Sequence, residues 1–332
     1  MKAAILRTFG SPLSLEQVPE PRPGPDEVLL RVRAAGLCGS DLKVVSGTLP
    51  GVTAPLIPGH EVAGELAGPA GDLPAGTPVA AYVFSTCGTC PSCRRGEVTV
   101  CPRAQRIGFE RDGGLAEYLA VPKANVLPFP PELGFDRAAV SMDAVLTPWH
   151  AIRTRGNVEP GDRVLIVGAG GLGLHAVQVA RALGAHVAVM DPLASHRDAA
   201  LELGAGIAAA PDETGLLEAW APAGMDVALE SSGQPDGFRS ACKLVRPAGR
   251  VVCCGYQPGR DYAADSTRLA LAELEVLGSR GGSIDDARDA LAAVGAGQIK
   301  PLVVGHGTLA DANDMLAQLR SGAAAGRLVV NL

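Results

Sequence analysis

One segment, Val164-Leu-Ile-Val167-Gly168-Ala-Gly170-Gly-Leu-Gly173, restricts the fold more than any other. Its four leading apolar residues, three of them β-branched, favour a strand with both faces buried. Behind the glycines, Leu172, Ala176, Val179 and Leu183 recur at four-three-four spacing, the apolar face of a helix that Gly184 stops. Gly168 permits a tight turn, Gly170 lets the backbone approach a pyrophosphate, and Gly173 lets helix and strand pack closely. The helix offers its free N–H groups and positive dipole end to the phosphates. Spaced glycines alone are a weak sign. A strand before them and a helix after make Gly168, Gly170, Gly171, Leu172 and Gly173 a candidate dinucleotide site.

Further strands are expected at Val187–Met190, Val227–Glu230, Val251–Cys254 and Val276–Leu277, with a short one near Ile207–Ala209 and helical segments between. This alternation builds βαβ units and a parallel, doubly wound sheet. Asp191 closes the second strand, 18 residues beyond Gly173. A carboxylate there accepts hydrogen bonds from the adenosine ribose and repels a 2′-phosphate, which favours NAD over NADP. Arg197 either softens that preference or lies on the face of the following helix.

Before residue 146 the texture is different. Glu27–Ala35 places Val28, Leu30 and Val32 on one face of a half-buried strand. Arg111-Asp-Gly-Gly114 is a turn leading into the strand-like Leu115–Val121, and Pro19–Pro25 and Pro128–Pro131 are loops. Beyond residue 281 come a helix (Asp285–Val294), a loop, a second helix (Asp311–Leu319) and a final strand (Arg327–Val330). The 332 residues suit about two domains. The expected boundaries are 1–145 with 281–332 for the β-rich domain and 146–280 for the α/β domain.

Eight cysteines call for a reading other than disulfides. The N-terminal apolar run is too short for a signal peptide core or a membrane span, so a cytoplasmic setting, where thiols stay reduced, is expected. Cys87-Gly-Thr-Cys90-Pro-Ser-Cys93 and Cys101 place four cysteines within fifteen residues, a set suited to a closed, tetrahedral structural zinc. A nucleic-acid-binding zinc ribbon is disfavoured by the net charge of −6 and the absence of a basic face. A second group is looser. Cys38 lies in Gly36-Leu-Cys-Gly-Ser-Asp41, and His60 and Glu61 lie in Pro58-Gly-His-Glu. A thiolate and an imidazole begin an open zinc site, although a core cysteine and a satisfied histidine would look the same.

These motifs, the four-cysteine lobe and Gly-Ala-Gly-Gly-Leu-Gly stand in the order seen in medium-chain zinc-dependent alcohol dehydrogenases. The chain resembles that family to its end at Gly326-Arg327-Leu-Val-Val, including secondary-alcohol dehydrogenases with a Cys/His/Asp catalytic zinc. The resemblance implies an α/β fold: a GroES-like β-rich catalytic domain, with a structural zinc lobe at about residues 84–104, plus a doubly wound six-stranded Rossmann domain. It also implies NAD, two zinc ions per chain, and hydride transfer between a secondary or medium-chain alcohol and NAD, giving a ketone or aldehyde.

By that resemblance Cys38 and His60 are ligands of the catalytic zinc and Glu61 stands beside the metal. The third ligand is usually cysteine. Asp143, four residues before Thr147, occupies its place here with the same formal charge as a thiolate. The alternative for Asp143 is a surface cap on a helix beginning at Thr147. Ser40 matches the start of a proton relay, or caps a helix beginning at Asp41, and Lys43 replaces the relay's outer histidine. Arg327 matches a cofactor-phosphate contact, or forms a surface salt bridge.

Leu49, Val83, Phe84 and Trp149 fall at substrate-pocket positions, an apolar lining that favours medium-size secondary alcohols. His150, His175, Cys242, Cys253 and Cys254 read as structural. A polyol or amino-alcohol dehydrogenase is the alternative activity, and a non-catalytic zinc- or nucleotide-binding protein is the alternative class. A homodimer or homotetramer is expected, with no nucleic-acid or membrane partner.

Overall fold

Buried runs of branched residues become the parallel strands that the sequence calls for. In the computed structural model, which describes residues 1–322 and 324–332, they pair in the order Ile207–Ala209, His186–Met190, Arg163–Val167, Met225–Glu230, Val245–Cys253, Glu275–Gly278. Val164, Leu165, Ile166, Val227, Ala228 and Leu229 are fully buried, as a parallel sheet requires. Strand order reverses between Arg163–Val167 and Met225–Glu230. The glycine turn therefore opens at the topological switch point, where sheets of this kind bind ligands. This unit comprises Val145–Gly282 and Gln298–Lys300.

The other unit comprises Met1–Ala144, Ser283–Gly297 and Pro301–Leu332. Its sheet is organised by the long strand Glu27–Leu37. One edge of that strand pairs antiparallel with Glu61–Leu66; the other takes Tyr118–Pro122 along its first half and Arg327–Asn331 along its second. Pro78–Ala81 and Val126–Pro128 extend one side. On the other side Val303–Gly307 pairs in parallel with Arg327–Asn331. The sequence reading expects a loop there. Gly305 and Gly307 weaken the strand signal, and the segment is only half-buried.

Register sets the position of the site. Leu37 lies opposite Leu328, and Gly36 lies opposite both Val329 and Glu61. Cys38, Glu61 and Arg327 thus emerge at the same end of three adjacent strands. A Cβ on Gly36 would fall 2.1 Å from Glu61 Oε2, so a residue with a side chain does not fit. Asp143 arrives from a helical run with three changes of pitch: α over Phe135–Val140, π over Ser141–Val145, α over Leu146–Trp149 and π over His150–Arg155. Thr147 therefore lies inside the run and starts no helix, and Asp143 is not a cap. Such π segments recur at functional sites. Among the described residues no helix is long and apolar enough to cross a membrane.

Candidate metal centres and dinucleotide site

The donor atoms of Cys38, His60, Glu61 and Asp143 lie within 4.8 Å of one another. Cys38 caps the helix Gly39–Val45, which begins two residues earlier than expected, so Ser40 sits in its first turn and not at its cap. Asp41, fully buried, ties two of these residues together. Its Oδ2 accepts the Cys38 N–H at 2.8 Å and its Oδ1 lies 3.2 Å from His60 Nδ1. A carboxylate on Nδ1 fixes the ring and directs the other nitrogen outward. His60 Nε2 is 3.6 Å from Asp143 Oδ2. Phe109 packs on the imidazole at 4.8 Å between ring centroids, and the Arg106 guanidinium covers Phe109 at 4.2 Å.

Arg327 is buried among these groups. Its Nε donates to Glu61 Oε1 at 2.7 Å, and its Nη2 lies 3.2 Å from Asp143 Oδ2 and 3.5 Å from Cys38 Sγ. A surface salt bridge is ruled out by its 4% exposure, and the guanidinium is committed to the metal-site donors. Burial works against its charge, but Cys38, Glu61 and Asp143 outweigh that and raise its pKa.

The fit to a cation is direct. Among the described residues, the buried Glu61 Oε2 has no hydrogen-bond partner, a rare condition in a folded protein. Burial pushes the Glu61 carboxyl up to about 7 despite Arg327. Burial opposes a charged His60 as well, yet Asp41, Asp143 and Cys38 raise its proton affinity well above the ordinary histidine range. Proton affinity of this kind marks a strongly negative enclosure. A thiolate, an imidazole and a carboxylate are donors that zinc accepts.

The second cluster has the dimensions of a four-thiolate site. Cys87 and Cys101 sulfurs are 3.5 Å apart, Cys87 and Cys93 3.9 Å, and Cys90 and Cys101 3.9 Å. A tetrahedron with bonds of about 2.3 Å has edges of about 3.8 Å. The Thr89 N–H leads in drawing the Cys87 thiol down to about 5, and Arg103 Nη2 lies 3.1 Å from its sulfur. Burial pushes Cys93 up to about 11.

In the α/β unit, Gly173 opens the helix Gly173–Ala182, and a Cβ on it would meet the Gly168 carbonyl oxygen at 1.8 Å. Gly170 has nothing within 4 Å of such a Cβ, which leaves space for a phosphate. Asp191 is buried, its Oδ2 accepting the Ala169 N–H at 2.7 Å and its Oδ1 the Leu193 N–H at 2.9 Å. Arg197 lies on the next helix and turns Nη1 back to the Asp191 and Pro192 carbonyl oxygens, each at 2.9 Å. Glu230 braces the facing loop by accepting the Ser232 and Gly233 N–H groups and the Tyr262 hydroxyl at 2.6 Å. Ser231 Oγ donates to the Gly168 carbonyl at 2.7 Å.

Comparison with known proteins agrees with this geometry. The family model of the alcohol dehydrogenase GroES-like domain matches residues 24–131, and that of the zinc-binding dehydrogenases matches residues 171–296. An alcohol dehydrogenase of Geobacillus stearothermophilus is 33% identical over 344 aligned positions, covering all of both chains. The chain belongs to the medium-chain zinc-dependent alcohol dehydrogenase family. An NAD-dependent alcohol dehydrogenase structure superposes with a TM-score of 0.93 at 30% identity, covering all of both chains. Acetophenone reductase from Geotrichum candidum, solved with NAD, gives 0.88 at 32% identity, covering all of this chain and 97% of that one. The dehydrogenase thus joins a GroES-like unit to a Rossmann-type unit, uses NAD and zinc, and carries out zinc-dependent alcohol oxidoreduction.

Of the residues the sequence singles out, the dehydrogenase brings Cys38, His60, Glu61 and Asp143 together and adds Arg327. Lys43 lies half-buried on the Cys38 helix; burial lowers its proton affinity, against the pull of Cys38. Leu49, Val83, Phe84 and Trp149 are all buried. His175 is buried with Nδ1 2.6 Å from the Gly171 carbonyl oxygen. Asp41, Phe109 and Glu230 also support these sites, and residue type alone does not single them out. An Asp three residues after Cys38 was the one available signal, and it reads equally well as ordinary helix-start chemistry.

Proposed function

We propose that this dehydrogenase interconverts secondary or medium-chain alcohols with their ketones or aldehydes, preferring NAD to NADP. The observation that carries the proposal is the enclosed Cys38, His60 and Asp143 donor set with the unpartnered Glu61 oxygen beside it. Zinc, when bound, would supply Lewis acidity toward the alcohol or carbonyl oxygen, and bound NAD would supply the hydride acceptor or donor. Cys38, His60 and Asp143 would hold that zinc, and the four clustered cysteines would hold the structural one. Asp41 keeps His60 oriented, and Arg327 holds Glu61 next to the donors.

Ser40 starts the path of the hydroxyl proton, and Lys43, half-buried on the same helix in the place of the relay's outer histidine, is the next group on it. Gly168, Gly170, Gly171, Leu172 and Gly173 hold the pyrophosphate, and Asp191 accepts from the adenosine ribose. Leu49, Val83 and Phe84 supply apolar substrate contacts, which suits carbon-rich alcohols better than polyols. Acetophenone reductase, a relative solved with NAD, supports both the ketone class and the cofactor. Residues 1–145 with 281–332 carry the zinc chemistry and 146–280 the dinucleotide, in a cytoplasmic homodimer or homotetramer.

The test is NAD- and NADP-linked turnover across primary alcohols, secondary alcohols and polyols, with metal content measured in parallel. Secondary alcohols with NAD should give the highest kcat/KM. A preference for polyols would overturn the substrate class, and turnover indifferent to zinc would overturn the mechanism.

A further inference from the structure

We propose that His196 is a positioning residue for the adenosine ribose: it steadies the Asp191 carboxylate that reads the ribose hydroxyls, and so sets the preference for NAD. The proposal rests on the reading of Asp191 as the ribose acceptor. His196 lies in the first turn of the helix Ala194–Glu202 and is only 6% exposed. Neither of its ring nitrogens has a hydrogen-bond partner among the described residues. A buried imidazole left in this condition demands an explanation. Its Nδ1 lies 3.4 Å from Asp191 Oδ1, a small displacement away from a hydrogen bond.

Asp191 itself is tied down by main-chain donors from two directions. The Ala169 N–H comes from the phosphate loop and the Leu193 N–H from the turn into the helix. A carboxylate has about four lone-pair sites; with two taken by these amides and one facing the imidazole, one on Oδ2 stays available to a ribose hydroxyl. A hydroxyl that donates to the one remaining site requires the carboxylate plane to be fixed. An N–H on His196 Nδ1, directed at Oδ1, supplies the side-chain restraint that the two amides leave open. Arg197 is placed differently, with its Nη1 turned to the Asp191 and Pro192 carbonyl oxygens. The imidazole is therefore the side chain that faces the carboxylate itself.

The experiment titrates the intact zinc-loaded enzyme with NADH and with NADPH by fluorescence, comparing wild type with His196→Ala, His196→Asn and Asp191→Asn. Alanine removes both ring nitrogens, whereas asparagine retains a donor near the Nδ1 position. The Kd for NADH should rise about 10-fold in His196→Ala, the scale of one hydrogen bond to a charged group. Asparagine should restore most of that loss, kcat at saturating NAD should stay unchanged, and the gap between NADH and NADPH affinity should narrow.

An unchanged NADH Kd in His196→Ala beside a weakened Asp191→Asn overturns the role of His196 and leaves Asp191 as the acceptor. Unchanged affinity in Asp191→Asn as well overturns both readings. A fall in kcat with Kd intact also overturns the proposal. Should the alanine variant not fold, His196→Gln fills the space without a donor at the Nδ1 position and decides by the same NADH reading.

Discussion

Replacing Asp41 with asparagine is expected to loosen one zinc ion and leave the other in place. The side chain is fully buried and asparagine has the same shape, so packing is preserved. The chemistry changes, because an amide offers one acceptor oxygen where the carboxylate offers two. Either the Cys38 N–H at 2.8 Å or His60 Nδ1 at 3.2 Å keeps an acceptor, and the other then faces an NH₂ group. Losing one charge-assisted bond costs about 1.5–3 kcal/mol. That corresponds to about 10–100-fold in metal affinity, the range seen when the outer partner of a ligand is removed. A chromogenic chelator titrated into the holoenzyme, with turnover followed alongside, reads the two zinc ions as separate release steps. The catalytic zinc should leave at a correspondingly lower chelator concentration, while the cysteine-lobe zinc leaves as in wild type.

The sign of the pH effect also follows. Asp41 is among the groups that raise the proton affinity of His60, so the variant frees His60 from proton competition at lower pH. The deficit in zinc affinity should therefore be widest in alkaline solution and narrow toward acid. Two release steps identical to wild type would refute the claim that Asp41 organises the site.

Other outcomes follow from named contacts. Gly173→Ala should destabilise the α/β unit by about 1–3 kcal/mol, because its Cβ would collide with the Gly168 carbonyl, and it should weaken NADH binding without loss of zinc. Unchanged NADH affinity would contradict the packing argument. The Arg111 guanidinium, 2.6 Å from Glu27, holds that carboxyl below its ordinary 4.5. The stability this pair contributes is present above that value and is lost as pH falls through the depressed one. Arg111→Ala should therefore flatten the acid limb of a plot of Tm against pH, and an unaltered limb would show that the partly exposed pair contributes nothing.

Legibility tracked burial. The strands at Val164–Val167 and Val187–Met190 announce themselves because a parallel strand is apolar on both faces and no other element of that length needs such a run. Val303–Gly307 is half-buried and carries two glycines, so its residues describe a loop as well as they describe a strand. The π segments around Asp143 leave no mark in residue type. They are a change of hydrogen-bond partner in the backbone, and they move Asp143 to a face that α-helical counting does not give.

The ligand residues were legible as types in sequence order, while the groups that support them depend on three-dimensional register. Asp41 reaches His60 across a separation of 19 residues, and Arg327 reaches Glu61 across 266. Arg327 shows the limit most clearly. Its place at the C-terminal motif implied a phosphate contact, whereas the pairing of Leu328 with Leu37 sets it beside Cys38 and Asp143.

The central claim is that the reactive zinc depends on Asp143 together with Cys38 and His60, apart from the cysteine lobe. Zinc content and NAD-linked turnover of Asp143→Ala, measured on one preparation shown by circular dichroism to be folded, test it directly. One zinc per chain in place of two, with turnover abolished, is the predicted result. Two zinc ions per chain and undiminished turnover would contradict it.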